Sequence, residues 1–164
     1  MTLFLTSSPC DDNVPEGCEL PCIYFERNGF VANLQRYVAP GGRLLVIAAW
    51  PDDFARNDEM TQSVADCFAW HGMGFSAVNV LDSRNQDRAP QLIAQSDVIM
   101  LAGGLRLFED VTYPDSVGHP LYVLLDGSYI LESEGKSTLY GEAYLLHNGV
   151  MELICREGES ITLN

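Results

Sequence analysis

The sequence predicts an α/β fold: a three-layer, doubly wound and mainly parallel sheet, with an antiparallel β segment closing its C-terminus. Three observations lead there. Short apolar runs alternate with helix-length amphipathic stretches up to Gly104, and such alternation builds a parallel sheet with right-handed crossovers and helices on both faces. The run Ser96-Asp97-Val98-Ile99-Met100-Leu101-Ala102-Gly103-Gly104 is short, apolar and bounded by turn formers, the signature of a strand buried on both faces. After Gly104 no helix-length pattern returns, and Asn148-Gly149 separates two apolar runs, the best short-range hairpin signal. The 164 residues fit a single domain, 1–104 alternating and 105–164 β-rich. A chain of that length buries roughly two thirds of its unfolded surface.

Each element follows from local pattern. Leu3 to Ser7 reads as the first strand, and Ser8 to Pro21, rich in Pro and acids, as a long loop. Val31, Leu34 and Val38 fall at helical spacing, with Asn28 in place to cap a helix over 30–38. Pro40-Gly41-Gly42 stops it. Arg43 to Trp50 is a second buried strand. Asn57 or Asp58 then caps a helix whose apolar stripe is Met60, Val64, Cys67, Phe68 and His71. His71, near the C-terminus of that helix, suits its dipole and reads as structural. Phe75 to Leu81 forms a third strand. A short helix over 90–95 admits Pro90 in its first turn. Beyond Gly104, strands are expected over 120–125, 128–132, 139–146 and 150–155, with an edge at 161–163.

Composition narrows the function. Net charge is −14 and the nine basic residues form no cluster, so a phosphate backbone would be repelled and nucleic acid is not an expected partner. No apolar run reaches ~20 residues, so no membrane span is expected, and the first residues show no signal-peptide pattern. Five cysteines, odd in number and without a C-x-x-C pair, read as reduced thiols of a cytoplasmic protein. Cys10, Cys18 and Cys22 share one loop-like stretch, but their spacing matches no common zinc pattern and no His is near. Neither metal nor cofactor is expected.

The chemistry-bearing motifs are sparse. No G-x-S-x-G elbow, phosphate loop or dinucleotide fingerprint occurs. Ser116 and His119 lie in a segment without periodicity, Ser128 follows Asp126-Gly127 in a turn, and His147 adjoins the Asn148-Gly149 turn. None has the setting of an activated nucleophile or its base, and no catalytic residue is assigned. The glycine pair stands out: ligands of open α/β sheets lie outside the carboxyl ends of the strands, and two glycines there let backbone approach a ligand. Gly103 and Gly104 are therefore the candidate site edge, with Gly103 expected at positive φ or with its N–H facing a cleft. A plain strand-to-loop turn accounts for the same residues.

The order of motifs resembles the S51 peptidases, dipeptidase E and cyanophycinase, of class I glutamine amidotransferase-like (flavodoxin-like) fold. The resemblance is carried by Leu3 to Ser8, by Gly42 to Ala48, by the aspartate-led run from Ser96 to Gly104, and by Tyr122 to Tyr129 with Gly141-Glu142-Ala143-Tyr144. It implies a serine-type hydrolase acting on small Asp-containing peptides, with Gly103 and Gly104 where the family has an oxyanion-hole N–H. The family's segment bearing the nucleophile, histidine and acid has no counterpart, because Gly104 runs directly into Leu105-Arg106-Leu107-Phe108. A non-catalytic binding or structural remnant of the fold is the other reading. Loss of a central strand would bare the edge of Val98 to Leu101. That predicts a dimer with an interface over 98–107, or a marginal monomer prone to aggregate.

Overall fold

The structure is a computed structural model and describes residues 1–102 and 117–163. In chain order the elements are β1 (Leu3–Thr6), β2 (Cys10–Asp11), β3 (Ile23–Tyr24), α1 (Phe30–Tyr37), β4 (Arg43–Ile47), α2 (Phe54–Trp70), β5 (Ala77–Leu81), α3 (Ala89–Ala94), β6 (Val98–Leu101), β7 (Leu121–Leu124), β8 (Tyr129–Ser133), β9 (Lys136–Tyr140), β10 (Ala143–His147), β11 (Val150–Cys155) and β12 (Ser160–Leu163). The fold is mixed α/β: among the described residues it has a three-stranded parallel sheet and antiparallel sheets. Two compact units divide the chain: Met1–Asp11 and Phe25–Val31 cluster with the residues from Val117 onward, and Asp12–Tyr24 clusters with Ala32 to Ala102.

The parallel unit has strand order β5-β4-β6. β4 is central, paired to β5 from Arg43↔Ala77 to Ile47↔Leu81 and to β6 from Leu44↔Val98 to Ile47↔Leu101. A central strand has no exposed edge, and Leu44, Leu45 and Val46 are fully buried. The aspartate ahead of β6 sets its register: Asp97 Oδ2 accepts from the Arg43 N–H at 2.8 Å, and the Asp97 N–H donates to the Arg43 carbonyl. β6 itself departs from expectation. It was expected to be buried on both faces, yet Ile99 is 43% and Leu101 74% exposed, while Val98 and Met100 are half-buried. β6 has one strand neighbour, β4, among the described residues. A short apolar run does not distinguish such an alternating strand from a doubly buried one.

Helix α2 starts earlier than its pattern suggests. Asp53, not Asn57 or Asp58, is the N-cap, its Oδ1 accepting from the Arg56 N–H at 3.4 Å. The buried stripe is Asn57, Thr61, Ala65, Cys67 and Phe68, whereas Met60 and Val64 are half-buried. The helix is thus rotated so that two polar side chains enter the core. Phe68 meets the edges of Tyr24 and Phe75 at centroid distances of 5.0 and 5.1 Å. His71 caps the helix and stacks on Tyr24, in keeping with a structural role.

The other unit is built from antiparallel strands in the orders β1-β8-β9-β12 and β7-β10-β11. Here β1 corrects the sequence reading: it lies outside the three-stranded parallel sheet and pairs antiparallel with β8, Phe4 opposite Leu131. Its exposure alternates, with Leu3 and Leu5 outward, and Phe4 stacks on Tyr129. Phe30 and Tyr140 complete the cluster, 5.0 and 4.8 Å from the Tyr129 ring. Both two-residue hairpin turns have positive φ at each position, Glu134-Gly135 at 55° and 75° and Asn148-Gly149 at 52° and 75°, the twist that matches paired strands. The expected single run 139–146 is two strands, broken at Gly141, whose φ is +85°. Asn28 does not cap α1. It sits at φ 57°, where its Nδ2 donates to the Gly127 carbonyl at 2.9 Å and its Oδ1 accepts from the Gly158 N–H at 3.0 Å. The Tyr129 hydroxyl donates to the Asn28 carbonyl.

Candidate functional site at the carboxyl edge of the parallel sheet

Three strands ending side by side leave their last peptides and the following loops facing one edge. β4 runs on into Ala48-Ala49-Trp50-Pro51, β5 into Asp82-Ser83-Arg84-Asn85 and β6 into Ala102. The Ala48 N–H donates to the Leu81 carbonyl, the Ala102 N–H to the Ile47 carbonyl, and the Ser83 N–H to the Pro51 carbonyl. These bonds hold the loops after β4 and β5 together. Gly103 and Gly104, the expected site edge, lie outside the described residues, as does Ser116.

The chemistry of this edge centres on Asp82, which is 4% exposed. A buried carboxylate demands compensation, and Asp82 has it. Arg84 reaches it through Nη2 at 2.6 Å and Nε at 3.0 Å, the Arg84 N–H donates to Oδ1 at 3.0 Å, and Asn57 Nδ2 lies 3.3 Å from Oδ2. Arg84 also grips Asp58 at 2.6 and 3.0 Å and lies 4.8 Å from the centre of the Phe54 ring. The Arg84 hydrogen bonds hold the Asp82 and Asp58 carboxyls below the usual carboxylate range, and the two acids raise the guanidinium in turn. With its lone pairs engaged in this way, Asp82 is a fixed anion that shapes the loop, not a free base. Fully buried Asn57 bridges the two loops, donating to the Trp50 carbonyl at 2.9 Å as well as to Asp82. Its Oδ1 is buried without a partner.

Beside this network Trp50, Pro51, Asp52 and Asp53 line a shallow groove of about 430 Å3. The Arg56 guanidinium lies 3.9 Å above the Trp50 ring. Arg84 is committed to two carboxylates, whereas Arg56 has no carboxylate partner among the described residues. A cation laid on an aromatic face is held in place while its N–H groups stay available to an anion.

The other expected residues are not assembled into a hydrolytic site. Ser128 is fully buried and its Oγ has no hydrogen-bond partner, so no histidine activates it. His119 and His147 are exposed, and His147 adjoins Asn148 at the hairpin turn. Cys22 lies against Cys67, Sγ to Sγ 4.0 Å. Among the described residues no three His, Cys, Asp or Glu side chains are grouped to hold a metal ion, and no helix is long and apolar enough to cross a membrane.

Asn57, expected only as a helix cap, and Asp82 and Arg84 were not among the expected site residues. A signal for the last two existed, since Asp-x-Arg directly after a buried strand places an acid at the strand end with a cation two residues on. Asn57 gave no such signal, because an Asn near a helix start reads as a cap. No family model, no curated protein and no solved structure matches the chain.

Proposed function

We propose that the chain is a shortened relative of the S51 serine peptidases and receives small Asp-containing peptides at the carboxyl edge of its parallel sheet. The observation that carries this reading is the aspartate-led strand itself. Asp97 pins β6 to the start of β4, and at the other end the Ala102 N–H bonds the Ile47 carbonyl, so β6 leads to the same edge as the loop that follows β4. Arg56 over Trp50 adds a cation that has no carboxylate partner among the described residues and is suited to a ligand carboxylate. The finer architecture, a three-layer doubly wound sheet of glutamine amidotransferase-like fold, belongs to the same proposal. So does self-association along the exposed face and edge of β6. Sedimentation at micromolar concentration should give a dimer or larger assembly, and a compact, stable monomer would remove that part.

One observation favours a second reading, in which the chain binds such peptides without cleaving them. Ser128 is sealed from solvent and lacks a histidine partner, and a serine without a base is a weak nucleophile. A labelled fluorophosphonate together with an Asp-containing dipeptide separates the two. A covalent adduct and dipeptide hydrolysis support the peptidase. Saturable dipeptide binding without adduct supports the binding form, and neither adduct nor binding overturns both.

A further inference from the structure

Among the five cysteines one pair is placed for covalent chemistry. Cys22 lies at the end of the loop before β3, half-buried, and Cys67 lies on the buried face of α2. Their sulfurs are 4.0 Å apart, and the Cys67 thiol donates to the Cys22 carbonyl at 3.2 Å. That bond fixes the Cys67 side chain facing residue 22 rather than elsewhere in the core. Both residues belong to the same compact unit.

We propose that Cys22 and Cys67 are a reversible disulfide site, closed by low-molecular-weight disulfides such as oxidised glutathione and opened by thiols. The two sulfurs play different parts. Cys22, the more accessible, attacks one sulfur of the small disulfide as its thiolate. One small thiol leaves, and Cys22 carries a mixed disulfide. Cys67 then attacks the Cys22 sulfur, and the second small thiolate departs with the Cys67 proton. Two protein thiols lose two electrons and two protons, and one small disulfide becomes two thiols. Burial, with Cys22 beside it, pushes the Cys67 thiol up to about 12, which leaves the first attack to Cys22, since the thiolate is the attacking form. The second attack is intramolecular, and the 4.0 Å separation of the two sulfurs is what favours it. The product would fasten the segment Asp12–Tyr24 to α2, across a sequence separation of 45. Cys18 is the competing thiol, near enough for its charge to raise the Cys67 thiol slightly.

The test uses the reduced full-length chain, exposed to oxidised glutathione under native conditions, then acid-quenched, alkylated and mapped by mass spectrometry. The expected product is about 2 Da lighter than the reduced chain before alkylation, carries a Cys22–Cys67 linked peptide, reverts with dithiothreitol, and forms faster in the folded chain than in urea. Its melting temperature should rise by about 5 °C. Cys67→Ser should leave glutathione trapped on Cys22, and Cys22→Ser should leave Cys67 unmodified. A lasting mixed disulfide on Cys22 in the unaltered chain, or a bridge from Cys18 to either residue in place of Cys22–Cys67, would overturn the proposal.

Discussion

In the antiparallel unit, strand register is set within a few residues of each turn. Glu134-Gly135 and Asn148-Gly149 adopt the positive φ that closes a two-residue hairpin, and β8–β9 and β10–β11 pair outward from there. In the parallel unit no turn can do this. β4 and β5 are joined through α2, and their register rests on burial of Leu44, Leu45 and Val46 and on polar contacts at the strand ends. One unit is specified by backbone conformation near the surface, the other by side chains in the core. Changes at glycines should therefore injure the first, and changes at buried side chains the second.

The largest effect is expected in the parallel sheet. Leu45→Ala leaves a void at the centre of β4, where the native side chain has no exposure, and should lower unfolding free energy by about 3–4 kcal/mol in urea titrations. Next comes Asp82→Asn, at about 2–3 kcal/mol. That is below the cost of breaking a fully buried pair because the Arg84 side chain is 36% exposed. Asp82 and Asp58 are held below their ordinary values, so their contribution is complete above the unfolded carboxylate pKa, about 3.9, and is lost as pH falls through the lower folded values. Acid unfolding monitored by circular dichroism should accordingly be less steep in Asp82→Asn.

Two glycines sharpen the same contrast. Gly135 and Gly141 both have positive φ, but a Cβ on Gly135 meets open space, whereas one on Gly141 would lie 2.6 Å from Ser128 Oγ. Gly135→Ala should cost about 1 kcal/mol. Gly141→Ala should cost at least twice that, about 2 kcal/mol or more, because strain and overlap add. Equal losses would mean that backbone conformation alone governs this unit. The smallest effect belongs to Ser128→Ala. Its buried hydroxyl has no partner, so removing it should leave stability unchanged or slightly raised, with fluorophosphonate labelling unaffected.

The hairpin at Asn148-Gly149 and the strands around it were legible because their signal is local: a turn sequence between two apolar runs. β4 was legible as an unbroken apolar run. The antiparallel partner of β1 was not, since Leu3-Phe4-Leu5 satisfies either kind of sheet and its partner β8 lies at the far end of the chain. The rotation of α2 was also hidden. Asn57 and Thr61 are polar, and apolar periodicity necessarily counts them to the solvent face, whereas Asn57 is held inside by the Trp50 carbonyl and Asp82. At the candidate site the strand ends could be foreseen from topology. The Asp-x-Arg pattern after β5 offered the Asp82–Arg84 pair, but its extension to Asp58 could not be foreseen, because Asp58 lies on a separate element, α2.

The proposed role of the carboxyl edge of the parallel sheet is to receive a small acidic peptide. The most direct measurement is backbone amide NMR during titration with an Asp-containing dipeptide, which reads binding whether or not cleavage occurs. The account predicts saturable shifts grouped at Ala48 to Arg56, Asp82 to Asn85 and Ala102, diminished by Arg56→Gln. Shifts confined to the β10–β11 hairpin, or no saturable shift at all, would contradict it.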